Sequence, residues 1–299
     1  MSGQPGALLA GPVRLPLEQL VSRYRERPWK ITTATDLADT ASHPAAVLSD
    51  SDYAVFAKFS PAANAREQFE TELAGLRLLT ERAGVRTPTP IGVLGVPGGA
   101  VLVMEALEAV ERGPRQWREI GQTLARLHRV RGERYGLDTH SFFGPLVQDN
   151  RPLDDWATFY AERRLWPLLR LAMDSGHLPL ANARPVEKLI ARLPQLCGPF
   201  VVPALLHGDA QQNNFISTDA GAVVIDPAVY YGHPEIDLAL VDYFQPVPQD
   251  VFDGYADELP IDPGFAERRE LWRVFAYLAV IAVDGGFVDR LSQAVHKYV

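Results

Sequence analysis

The sequence predicts an α+β protein in two lobes, a small β-rich N-lobe over residues 1–107 and a larger, mostly helical C-lobe over 108–299. Three observations carry that reading. The first third alternates short apolar runs with turn residues around one long amphipathic stretch. From Gly113 onward the apolar spacing is helical. The 299 residues, 47% hydrophobic and 22% charged, are enough for one large or two modest cores.

Taken in order, Leu15 to Tyr24 is weakly helical, and three strand patterns follow at Trp29–Thr35, Pro44–Leu48 and Tyr53–Phe59. A helix is expected over Asn64–Ala83. Two more strands, Pro90–Leu94 and Ala100–Leu107, flank the turn signal Pro97-Gly98-Gly99. Beyond a junction near Glu105–Glu111, the residues Trp117, Ile120, Gly121, Leu124 and Leu127 form one helical stripe. Trp156–Ala172 and Phe265–Val283 also read as helices. Val201–Leu206 and Ala222–Ile225 read as strands on either side of a polar loop.

Composition removes several function classes. The 29 basic and 37 acidic residues leave a formal charge of −8, which argues against a nucleic-acid partner. The longest apolar run, Val274 to Val283, is far short of the roughly 20 residues that span a bilayer. Met1-Ser2-Gly3-Gln4-Pro5 carries no secretion signal, so a cytoplasmic protein is expected. A lone cysteine, Cys197, rules out an internal disulfide and a multi-thiolate metal site.

The chemistry concentrates between residues 205 and 240. Leu205-Leu206-His207-Gly208-Asp209 leads into Asn214, and Val223-Val224-Ile225 ends at Asp226. Two apolar strands thus each deliver polar groups at their C-terminal ends. Carboxylate and amide oxygens suit Mg²⁺. Phosphoryl transfer needs metal ions on the phosphates and a carboxylate that accepts the proton of the attacking hydroxyl. A turn with a capping Asp would explain any one of these residues, but not the three at these spacings.

The first lobe supplies an independent test, because such a kinase needs a strand lysine paired with a helix glutamate. Alternation places Lys58 on one face with Ala54 and Phe56. On the helix, Phe69, Leu73, Leu76 and Leu79 define the apolar stripe, Glu72 lies within its edge, and Glu67 and Glu70 point away. Glu72 is therefore the acid available to Lys58. The connector Glu105-Ala106-Leu107 would offer backbone groups to an adenine edge.

In this order the residues resemble the fructosamine kinase family, within the wider aminoglycoside-phosphotransferase and protein-kinase-like group. His207-Gly208-Asp209 with Asn214 is similar to its catalytic loop. Asp226-Pro227-Ala228 through Tyr231-Gly232-His233, Glu235 and Leu238-Ala239 is similar to its most specific segment. Val55 to Lys58, Phe69 to Glu72, Leu124 to His128, and Gly144 to Asn150 followed by Trp156 add further matches. The resemblance implies a two-lobed kinase using ATP and Mg²⁺ to phosphorylate a hydroxyl of a ketosamine, free or on a glycated protein lysine. It further implies Asp209 as catalytic base and Asn214 and Asp226 as metal ligands. Lys58 would sit on the α/β-phosphates and be oriented by Glu72, while His207 and Asp237 would brace the loop. His233, Gln148 and Trp156 are candidates for the acceptor pocket, and His128 reads as a satisfied core histidine.

Three departures from the family pattern stand out. Asp36 to Pro44 contains no glycine where the loop over the phosphates should lie, leaving Thr40 or Ser42 as hydroxyl donors. The catalytic loop reads Ala210-Gln211-Gln212-Asn213 where the family typically has Leu-Trp-x-Gly. The first lobe also has no cysteine for thiol-based regulation. Three other readings remain open: an aminoglycoside or amino-sugar phosphotransferase, an inert kinase-like binding module, and a metal hydrolase built from His207, Asp209, Asp226, His233 and Asp237.

Overall fold

A computed structural model of the chain describes residues 6–37 and 43–299, so Thr40 and Ser42 lie outside the described residues. Five strands, β1 (Thr33–Asp36), β2 (Ala45–Ser49), β3 (Ala54–Ser60), β4 (Pro90–Val96) and β5 (Gly99–Glu105), form an antiparallel sheet in the order β1-β2-β3-β5-β4. The apolar run of β5 is continuous because both of its faces are covered. Val101 and Val103 pack with Leu17 and Val21 of the helix Gly11–Arg25, while Leu102 and Met104 pack with Phe69, Leu73 and Leu76 of the helix Ala65–Ala83. The same alternation in β3 turns Val55 and Ala57 toward the first helix and Lys58 toward the second.

Past residue 113 helices dominate. Pro114–Arg129, Leu180–Ala191, Phe265–Asp284 and Val288–His296 surround one apolar core. Gly121, on the predicted stripe, allows a close crossing: a Cβ there would lie 1.8 Å from the carbonyl oxygen of Val251, in the helix Asp250–Ala256. Trp156–Asp174 is one continuous helical run, wound as a π-turn over Tyr160–Leu165. Pro167 follows that turn, and a wider turn relieves the clash its ring would make with the carbonyl four residues back.

The remaining strands are short antiparallel pairs: β6 (Ser141–Phe143) with β7 (Leu146–Gln148), β8 (Ala204–Leu206) with β11 (Tyr230–Gly232), and β9 (Phe215–Thr218) with β10 (Gly221–Val224). The connector after Glu105 is tied to β9 by the Val110 amide, which donates to the Ser217 carbonyl at 2.8 Å.

The structure corrects the sequence reading in places. The first strand begins at Thr33, not Trp29, because Trp29 turns inward as a core plug and its indole N–H donates to the Tyr53 carbonyl at 3.0 Å. The strand predicted to run to Leu107 ends at Glu105, and the one predicted from Val201 is confined to Ala204–Leu206. Among the described residues no helix is long and apolar enough to cross a membrane.

Candidate active site

Lys58 sits at the sheet's inner face with almost no exposure, so its ammonium must be paired. Its Nζ lies 3.0 and 2.9 Å from the two Glu72 oxygens and 2.7 Å from Asp226 Oδ1, a contact spanning 168 residues of chain. Burial would pull the lysine pKa down, but Asp226 and Glu72 outweigh it and hold the pKa above its ordinary value. Two carboxylates share that one ammonium. Burial, ahead of the neighbouring Asp226, pushes Glu72 up to about 8, whereas Lys58 keeps Asp226 low against its own burial. Asp226 also has φ +50°, a left-handed backbone that few non-glycine residues adopt.

The catalytic-loop candidate follows β8 and is fastened from beneath. Asp237, fully buried, accepts the amide N–H of His207 at 2.7 Å through Oδ2 and that of Gly208 at 3.0 Å through Oδ1. His128 Nε2 lies 3.1 Å from Asp237 Oδ2, and its Nδ1 is 3.0 Å from the Tyr255 hydroxyl. His207 Nε2 donates to the Ile225 carbonyl at 2.9 Å, and its Nδ1 accepts the Asp209 amide at 3.1 Å. Those roles require the neutral ring, and burial lowers the His207 pKa accordingly. Gly208, at φ +81°, is needed for the approach to the segment after Asp226: a Cβ there would lie 2.0 Å from the Ala228 carbonyl oxygen.

On this platform Asp209 faces the cleft. Burial raises its pKa to about 7, a hydrogen bond from Gln211 opposes the rise, and the Asp226 charge adds to it. Asn214 Nδ2 donates to the Asp209 backbone carbonyl at 2.8 Å and to Oδ2 at 3.1 Å. Among the described residues nothing donates to Asn214 Oδ1, which leaves it available as a ligand. Glu72 and Asp226 hold the Lys58 ammonium, and Asp209 lines the same cavity without contacting it, so carboxylates outnumber cations there and a divalent cation would fit the site. The oxygen donors present are of the kind Mg²⁺ takes.

Lys58, Glu72, Asp209, Asn214 and Asp226 line one cavity of about 840 Å³, together with Glu105 and Leu107 of the connector. The Glu105 amide is already used by the Thr89 carbonyl at 2.9 Å, and its carboxylate accepts the Thr89 hydroxyl at 2.7 Å. Ala106 lies between Glu105 and Leu107 but is not among the lining residues. The structure does not bring His233, Gln148 or Trp156 to the cavity wall. His233 stacks on Trp272 at 5.0 Å, and burial lowers its pKa to about 3. Trp156 stacks with Phe159 and Tyr160, and Gln148 is buried at the end of β7. The residues proposed for a hydrolytic metal site do not gather either: His233 is stacked in the core, and Asp237 is occupied by backbone amides. Glu235 is held in a fork by Arg268 at 2.9 and 2.6 Å and accepts the Trp272 indole N–H at 2.6 Å.

Sequence reasoning missed Arg112, whose guanidinium donates to the Gln212 carbonyl at 3.0 Å and to the Phe215 carbonyl, bracketing the turn that carries Asn214. It lies 4.8 Å from the Trp117 ring. Also missed were His43 beside Phe69, and Tyr243 and Phe244, all at the cavity. Nothing in their spacing marks them, since each sits in a segment without periodicity.

Comparison with known proteins places these observations in context. The fructosamine kinase family profile matches residues 16–299. The ketosamine-3-kinase of Mus musculus is 32% identical over 255 residues, covering 75% of this chain and 81% of that protein. A solved candidate fructosamine-3-kinase from Thermobifida fusca superposes with a TM-score of 0.82 at 29% identity, over 96% of this chain and 98% of its own. A spectinomycin phosphotransferase, at 14% identity and TM-score 0.57 over 95% of this chain and 93% of its own, shares the fold.

Proposed function

The chain belongs to the fructosamine kinase family, and on that footing we propose that it transfers the γ-phosphate of ATP, with Mg²⁺, to a hydroxyl of a ketosamine. It is a phosphotransferase with an alcohol group as acceptor, acting on sugar–amine adducts. The observation that carries the finer reading is Lys58, on the N-lobe sheet, within 2.7 Å of Asp226 and in the same cavity as Asp209. Residues 1–107 then present the nucleotide and 108–299 the acceptor.

Each side chain has a derivable task. Lys58, held by Glu72, supplies positive charge to the α/β-phosphates. With the Glu105 amide already bonded and Ala106 off the cavity wall, Leu107 is the connector residue that offers its backbone to the adenine edge. Asn214 and Asp226 would hold Mg²⁺, which supplies neutralisation of charge on the transferring phosphoryl group. Asp209 orients the acceptor hydroxyl and takes its proton as the acceptor oxygen bonds to the γ-phosphorus. The bond from that phosphorus to the β–γ bridging oxygen breaks, and ADP departs. Burial that lifts Asp209 toward neutrality makes it a better proton acceptor than a surface carboxylate.

An ADP-release assay with MgATP across ketosamines, amino sugars and aminoglycosides tests this. Turnover is expected on ketosamines. Turnover confined to aminoglycosides would move the chain to that acceptor class, and nucleotide binding without release on any acceptor would identify an inert module.

A further inference from the structure

Besides the residues assigned to the nucleotide, the same cavity has a second set of lining residues. This second wall is built by Phe142 and Phe143 of β6, Tyr243 and Phe244, and Val280 and Val283 of the helix Phe265–Asp284. This wall is fixed to the catalytic-loop candidate. The Gln212 amide donates to the Val241 carbonyl at 3.2 Å, and its side chain donates to the Gln245 carbonyl at 3.2 Å. Phe143 packs edge-on against Phe275 at 5.3 Å, and Tyr243 against Phe244 at 4.5 Å. Phe244 and Val283 are nevertheless 41% and 48% exposed, so apolar surface lies open at the cavity's mouth.

Charge narrows the occupant further. Among the described residues lining the cavity, Lys58 is the only lysine or arginine, and Glu72 and Asp226 already hold it. The nearest other cations, Arg273, Arg290 and Lys297, line a separate neighbouring cavity behind Tyr243 and Phe244, where Arg273 is paired with Asp242 and Glu270 and Arg290 donates to the Tyr243 carbonyl at 3.2 Å. Asp284, at the end of the wall, accepts the Gly286 amide at 2.8 Å and makes no ion pair among the described residues. Its charge favours a cation and repels an anion.

Resting on the kinase reading above, we propose that the acceptor is the sugar adduct of an apolar amine without a carboxylate, of arylalkyl or branched alkyl type. Its hydrocarbon lies on the Phe142, Phe244 and Val283 surface, and its protonated nitrogen lies in the field of Asp284. Adducts of α-amino acids are disfavoured because their carboxylate meets Asp284 and finds no free cation among the described residues lining the cavity. The aromatic wall contributes through burial that a methyl group cannot reproduce, worth about tenfold or more in kcat/KM.

The test uses the full-length protein, MgATP and one sugar joined to methylamine, phenethylamine or phenylalanine. The phenethylamine adduct is expected to exceed both others by about tenfold or more in kcat/KM. Phe244→Ser and Val283→Ser should erase most of its advantage over the methylamine adduct. Asp284→Asn should narrow the gap to the phenylalanine adduct severalfold. Equal turnover of all three adducts, or gaps unmoved by the three variants, overturns this inference and leaves the kinase reading intact. Absence of turnover on every adduct overturns both.

Discussion

Asp237→Asn separates the machinery from its support. The wild-type carboxylate accepts three donors with no solvent access: the His207 amide at 2.7 Å, the Gly208 amide at 3.0 Å and His128 Nε2 at 3.1 Å. An asparagine can accept through one oxygen only. Placed with Oδ1 toward His207 and His128, its amide nitrogen faces the Gly208 N–H, donor against donor. That loses one charge-assisted bond of roughly 1.5–3 kcal/mol and strands a buried donor at about 1–3 kcal/mol. A net destabilisation of about 3 kcal/mol follows, which a domain of ordinary stability survives. The loop that moves carries Asp209, and a displacement of about 1 Å costs on the order of 100-fold in rate. Lys58 and Asp226 remain bonded to each other, so the KM for ATP should shift only a few-fold. Urea unfolding and steady-state ADP release measure the two effects on one preparation. Wild-type stability together with wild-type kcat would refute the reasoning, as would a loss confined to the KM for ATP.

Three further outcomes are expected. Asp209→Asn should keep nucleotide affinity in calorimetric titration while kcat falls by about 10²–10⁴, since the base acts on the transition state; normal turnover would remove the assignment. His233 has a folded pKa of about 3 against an ordinary 6.5, so its stabilising contribution is complete above pH 6.5 and declines as pH falls toward 3. At pH 5 the loss is about 2 kcal/mol, and His233→Asn should reduce the stability difference between pH 7.5 and 5 by that amount in urea titrations; an unchanged difference would contradict it. Gly208→Ala places a methyl group 2.0 Å from the Ala228 carbonyl in a left-handed backbone, so turnover should collapse and the melting temperature drop; an unaltered enzyme would mean the loop does not approach that segment as described.

The legible parts of this chain are those where periodicity and chemistry coincide. Lys58 and Glu72 could be paired from alternation on β3 and the helical stripe, because burying a lysine demands a partner and only one acid faced inward. His128 could be read as a core residue for the same reason of satisfaction. Of the wall proposed for the acceptor, only the helix carrying Val280 and Val283 was legible. β6, β7 and β11 have three residues each, too few to show a period, and the helix Leu180–Ala191 hides behind Pro185. The motif around His233 was visible, but a motif does not say which way a side chain points. Trp272, 39 residues further on, claims that ring. Arg112 acts on carbonyl oxygens, which every residue carries, so no pattern in the sequence announces it.

The most direct test is a double-mutant cycle on MgATP binding, measured by calorimetry with Lys58→Met, Asp226→Ala and the double variant. Two groups 2.7 Å apart that serve one nucleotide should each cost affinity when removed, and their effects should fail to add. Wild-type affinity in both single variants, or strictly additive losses, would mean that the nucleotide binds elsewhere.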